Sequence, residues 1–99
     1  MKMKILGLSA VFGSLGQATR LEIVHLLAPV SKGKTAIGLP AGQIAATLGV
    51  APPTLSFHLK DMTLRGLLIQ RRKGRELIYF VNLPLLLTAL GDFVTELEL

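Results

Sequence analysis

The segment AGQIAATLGVAPPTLSFHLKDM, residues 41–62, limits the possible folds more than any other part of the chain. Gln43 to Leu48 has the spacing of a short helix led in by Pro40, and Gly49 then breaks it. Pro52 and Pro53 follow three residues later, where proline suits the first turn of a new helix because the amides there have no partner inside the helix. Two helices separated by a tight glycine-containing turn make a helix-turn-helix layout.

The flanking elements can be read in the same way. Ile5, Leu8, Val11, Phe12 and Leu15 fit an amphipathic first helix. From Thr19 the apolar residues Leu21, Val24, Leu27 and Ala28 recur at threes and fours until Pro29. SKGKTAIGLPAG, rich in Gly, Ser and Pro, reads as a loop. Leu67 to Arg72 and Leu77 to Asn82 read as strands, and Lys73-Gly74-Arg75-Glu76 joins them into a hairpin with a basic tip. A last helix starts at Leu83, with Pro84 near its start, Asn82 as its cap, and a stripe of Leu86, Leu90, Phe93, Val94 and Leu97. No repeat or long linker divides the chain, so residues 1–99 are expected to form one domain, mainly α with a β-hairpin, of about five helices and two strands.

Composition narrows the function. At 99 residues, 51% hydrophobic and 17% charged, the chain is too apolar for disorder. It is also apolar for so small a monomer, which points to a buried interface between copies. The formal net charge of +5 favours a polyanionic partner. Lys60, Arg65, Arg71, Arg72, Lys73 and Arg75 are concentrated in one stretch, whereas beyond Pro84 there are only the acids Asp92, Glu96 and Glu98. The absence of cysteine excludes disulfides, thiolate metal sites and thiol catalysis in this chain. MKMKILGLSAVFGSLGQA has the outline of a secretory leader, but Gly7, Ser9 and Gly13 interrupt its apolar run. No membrane span is expected, and the expected address is the cytoplasm.

The second helix of the pair carries Ser, His and Lys, so three chemistries compete for it. Ser56 and His58 stand roughly 200° apart around a helix and cannot meet as nucleophile and base, so no enzyme is expected. A metal site needs three or four ligands, and the only histidines, His25 and His58, lie in separate elements. Asp92 and Glu96 are one turn apart and supply at most half a site, the rest coming from another subunit; a solvated acidic face is the preferred reading. His25 is expected on the helix surface, and His58 half-buried and bonded to a neighbouring backbone. Leu55, Leu59, Met62 and Gly66 share the core face, leaving Thr54, Phe57, Lys60, Asp61 and Leu64 outward and Ser56 on the flank. DNA fits this surface best. Hydroxyls and an ammonium near a helix start reach base edges and phosphates in a major groove, and Phe57 suits a thymine methyl. Arg71, Arg72, Lys73 and Arg75 on the hairpin suit phosphates or a minor groove, with Gln43 and Thr47 near the backbone.

FGSLGQATRLEIVHLL, LPAGQIAATLGVAPPTLSFHLKDMTLRGLL and IQRRKGRELIYFVN together resemble the ArsR/SmtB winged helix-turn-helix repressors, from about Phe12 to the C-terminus. The resemblance implies a cytoplasmic homodimer that binds a palindromic double-stranded operator and leaves it when an inducer binds. It also implies that the first and last helices form the dimer interface, here Leu8, Val11 and Phe12 with Leu86, Leu90, Phe93 and Leu97. Arsenic-sensing members with a similar TLSFHLK segment carry adjacent cysteines after the final helix, near Glu98 and Leu99 here. Others place Cys before the turn, or Asp and His along the last helix. This chain has neither pattern, so no metal or other cofactor is expected. The sensor cysteines could lie beyond Leu99 in a longer chain, or the protein could answer to another inducer or to none. A protein–protein module without an operator is the alternative function.

Overall fold

The computed structural model describes residues 5–97, which form five helices and a three-stranded antiparallel sheet. Helix α1 (Ile5–Leu15) and helix α2 (Ala18–Leu27) lead into a single 3-10 turn over Ala28–Val30 that contains Pro29. Strand β1 (Leu39–Pro40) runs straight into helix α3 (Ala41–Leu48), and helix α4 (Pro52–Leu64) follows the turn. Strands β2 (Leu68–Lys73) and β3 (Glu76–Val81) make the hairpin, and helix α5 (Leu83–Leu97) closes the chain. Glu98 and Leu99 lie outside the described residues.

The α3–α4 turn is closed locally. Gly49 takes φ +66°, a conformation that costs a residue with a Cβ, and the amide of Val50 donates to the carbonyl of Ala45 at 3.1 Å. Pro52 and Pro53 then open α4, which buries Leu55, His58, Leu59 and Met62. Leu55, Leu59 and Met62 with Ile23, Leu27, Ile44 and Leu67 form the centre of the core, to which α1 adds Leu8 and Val11 and α5 adds Leu86 and Ala89. The expected cap also forms: Asn82 Oδ1 accepts from the Leu85 amide at 3.3 Å, while its Nδ2 donates to the Gly66 carbonyl at 2.9 Å. One side chain thus starts α5 and holds it to the end of α4.

Two sequence expectations need correction here. The stretch after Ser31 is not all loop, because Leu39 and Pro40 pair with Tyr79 and Ile78 as a third strand, in the order β1-β3-β2. Two residues, one of them proline, carry no alternation from which a strand could be read. In α2 the buried residues are Arg20, Ile23 and Leu27, whereas Leu21 is 54% exposed. Both sets satisfy helical spacing, and the buried set has a charged residue at its head.

Candidate nucleic-acid interface

The outward side of α4 is polar and open. Thr54, Ser56, Phe57 and Lys60 are all exposed, Phe57 at 65%, because the opposite face of the helix is occupied by the core. Ser56 and Lys60 line a cleft of about 400 Å³ between α4 and the sheet, together with Thr63, Leu64, Gln70 and Tyr79. Gln70 Nε2 donates to the Tyr79 hydroxyl across its floor at 2.8 Å. An adjoining depression of about 540 Å³ joins Ser56 to Gln43, Arg75, Glu76 and Tyr79. Side chains from α3, α4 and the hairpin tip therefore share one continuous concave surface. Thr47, Thr54 and Phe57 are exposed but border neither depression.

The hairpin bases divide into two groups. Lys73 pairs in register with Glu76, leaving Gly74 and Arg75 as a two-residue loop with glycine first. Side chains alternate along a strand, so Arg72 shares the face of Gln70 that borders the cleft, while Arg71 and Lys73 lie on the opposite face. Arg71 accordingly lines a separate depression of about 360 Å³ with Ile69, Phe80 and Pro84. All four bases are exposed, but they do not form one patch.

Under α4 lies a polar cluster that the sequence did not reveal. Arg20, only 3% exposed, donates from Nε to His58 Nδ1 at 3.0 Å and from Nη1 to Ser14 Oγ at 2.9 Å, and it pairs with Asp61. Arg65 Nε reaches the same Asp61 oxygen at 3.0 Å. Asp61 therefore bonds inward to Arg20 and along the helix surface to Arg65, and His58 is buried rather than half-buried and bonded to a side chain rather than to backbone. The hydrogen bond from Arg20 holds the Asp61 carboxyl below its ordinary value against the opposing effect of burial, with Arg65 adding to it. Burial first, then Arg20, hold the His58 imidazole below its ordinary value, and Asp61 pulls the other way. The available signal was phase, since Arg20 stands three and seven residues before the buried Ile23 and Leu27.

The family model described as helix-turn-helix domain matches residues 15–71, more than half of the chain. The chain belongs to the helix-turn-helix domain family. Its structural neighbours are ArsR-family winged helix-turn-helix regulators. The helix-turn-helix chain is similar to an ArsR-like transcriptional regulator from Rhodococcus sp. RHA1, with 25% identity and a TM-score of 0.76 over 94% of this chain and 84% of that one. It is also similar to the homodimeric winged helix-turn-helix DNA-binding domain of Mb0332 from Mycobacterium bovis, a possible ArsR-family regulator, with 26% identity, a TM-score of 0.70 and coverage of 94% and 82%. HlyU from Vibrio cholerae N16961 shares the fold at 18% identity and a TM-score of 0.72, covering 99% of this chain and 98% of that one. Among curated proteins no match was found. By fold this helix-turn-helix chain is a DNA-binding transcriptional regulator of the ArsR type, a family of regulators rather than enzymes.

The residues expected at a dimer interface are in two situations. Leu8, Val11 and Leu86 are covered within the chain itself, and Phe12 is half-buried with its ring edge-on to Phe93 at 5.3 Å between centroids. Leu90, Phe93 and Leu97 remain exposed, as do Leu87 and Val94. Among the described residues no helix is long and apolar enough to cross a membrane, and no three His, Asp or Glu side chains are grouped to hold a metal ion.

Proposed function

We propose that this protein is a transcriptional repressor that acts in the cytoplasm as a homodimer on a palindromic operator. The observation that carries the reading is the shared concave surface joining Ser56 and Lys60 of α4 to Arg75 of the hairpin and Gln43 of α3. Its place between α4 and the hairpin suits a sugar-phosphate strand running between a helix in the major groove and a hairpin beside it. Thr54, Ser56, Phe57 and Lys60 read or approach bases. Arg72 and Arg75 hold phosphate on the cleft side, Arg71 and Lys73 hold it from the far face of the hairpin, and Gln43 and Thr47 support the backbone. The uncovered apolar stripe of α5, continuous with α1 through the Phe12–Phe93 contact, supports residues 1–99 acting as one domain with dimerising first and last helices.

The test separates positioning from reading. Arg75→Ala should weaken binding to every duplex and flatten the dependence of log affinity on log salt by about 0.9 for each phosphate no longer neutralised. Thr54→Ala or Ser56→Ala should cost about 1–3 kcal/mol per base-edge interaction removed on the operator and leave random duplex nearly unchanged. Measuring all three variants on both duplexes across a salt series checks the assignment. An unchanged slope for Arg75→Ala together with normal operator binding by the helix variants would show that this surface is not the reading head, whereas a parent chain with no salt-dependent duplex binding would favour a protein–protein module. Arsenite should not release this chain from DNA, because soft metalloid capture needs thiolates and the chain has none. A gel-shift titration with stoichiometric arsenite checks that.

A further inference from the structure

The polar cluster beneath α4 joins three helices through one buried guanidinium. Ser14 comes from α1, Arg20 from α2, and His58 and Asp61 from α4. All guanidinium nitrogens are donors, so the His58 Nδ1 that faces Arg20 Nε at 3.0 Å must carry a free lone pair. The ring is therefore neutral, with its proton on Nε2. Adding a proton at Nδ1 would remove the acceptor and set a second cation against a buried one.

We infer that His58 is an acid-sensitive positioning residue: its neutral ring holds α4 against α2, and its protonation releases α4 and weakens operator binding. The inference rests on the DNA-reading role of α4 proposed above. The groups that act on the ring are Arg20 from α2, which opposes its charging, and Asp61 on its own helix, which favours it. Ser14 from α1 enters through Arg20, and Arg65 enters through Asp61. The Phe57 ring packs edge-on to the imidazole at 5.7 Å, so a change at His58 also bears on an exposed side chain of the reading face.

The sign follows from linkage. Burial and Arg20 place the titration below the ordinary imidazole range, so the contact is closed at neutral pH and opens only in acid. If DNA-bound protein requires the neutral ring, each subunit must release a proton to bind once the free protein is protonated. Operator affinity then falls toward acid, by up to about tenfold per pH unit per subunit. Simple electrostatics predicts the reverse, because positive charge gained in acid strengthens phosphate binding; His25, exposed on α2, is the control position.

The experiment measures binding of operator and random duplex from about pH 8 to pH 5 at constant ionic strength, for the parent chain, His58→Gln and His25→Gln. Glutamine does not titrate, and its amide oxygen can accept from Arg20. Operator affinity should fall toward acid in the parent and in His25→Gln and stay level in His58→Gln. A parent that binds well at neutral pH without weakening in acid overturns this proposal alone, as does a His58→Gln variant that weakens like the parent. Nitrogen-15 NMR of the imidazoles in the parent chain gives a readout that needs neither DNA nor a variant. An Nε2–H tautomer titrating below the ordinary imidazole range is expected for His58, and an Nδ1–H tautomer overturns the proposal. Failure to bind any duplex at any pH overturns the reading role of α4 and this proposal with it.

Discussion

Leu90→Glu combined with Val94→Glu is expected to give a folded monomer with operator affinity lower by about 10²–10⁴-fold, the scale of avidity that disappears when two linked sites become one. Both side chains are half exposed, and with Leu87 and Leu97 they make the outer stripe of α5. A contiguous apolar stripe of this kind marks an interaction site rather than ordinary surface. The inner stripe, Leu86 and Ala89, is buried against the chain's own core and should hold the helix in place when the outer stripe is charged. Phe93 is left unchanged because its ring packs on Phe12. Sedimentation checks the mass, thermal unfolding checks the fold, and a duplex titration checks the affinity. A variant that stays dimeric would put the interface elsewhere.

Gly38→Val should be among the most destabilising single changes in the chain. Gly38 has φ +60°, and a Cβ there would stand 2.6 Å from the Tyr79 carbonyl oxygen and 2.7 Å from Ile78 Cγ2. The backbone conformation alone costs a residue with a Cβ about 1–3 kcal/mol. The clash with a strand carbonyl adds to that, because the β1–β3 pairing would have to part. Gly33→Ala is the matched control: φ is +71°, but nothing lies within 4 Å of the added carbon. Urea unfolding of the two variants should therefore show a modest loss for Gly33→Ala and a much larger one for Gly38→Val. Equal losses would show that the close approach to β3 has no energetic weight.

Much of the candidate interface was legible because it depends on local rules. Three-and-four spacing separates Leu55, Leu59 and Met62 from Thr54, Phe57 and Lys60, and the structure buries the first set and exposes the second. Proline and glycine mark the α3–α4 turn, and the hairpin strands lie within one residue of their expected limits. Relations between distant residues were not legible. Asp61 sits on a helix flank that periodicity assigns to solvent, and only Arg20, 41 positions earlier, gives it a reason to turn inward. β1 exists because Gly38 lets the chain approach β3, which no pattern within Leu39–Pro40 can announce. The two faces of the basic hairpin were implicit in strand alternation, but grouping its four cations by charge alone obscured them.

The segment between α2 and β1 offers a practical use. The Ser31 hydroxyl donates to the Leu27 carbonyl at 2.6 Å and accepts from the Val81 amide at 2.9 Å, and the Val30 carbonyl accepts from the amides of both Ile37 and Gly38. Both ends of the segment are thus tied down, while Lys32 to Thr35 between them are exposed. Extra residues placed there would lengthen a loop that is already closed, and each doubling of a flexible loop costs only about 0.6 kcal/mol. None of those four residues borders the concave surface formed by α3, α4 and the hairpin tip. Gly33 borders the Arg71 depression, so a fluorophore or affinity tag inserted after Lys34 would label the protein while leaving the concave surface unobstructed.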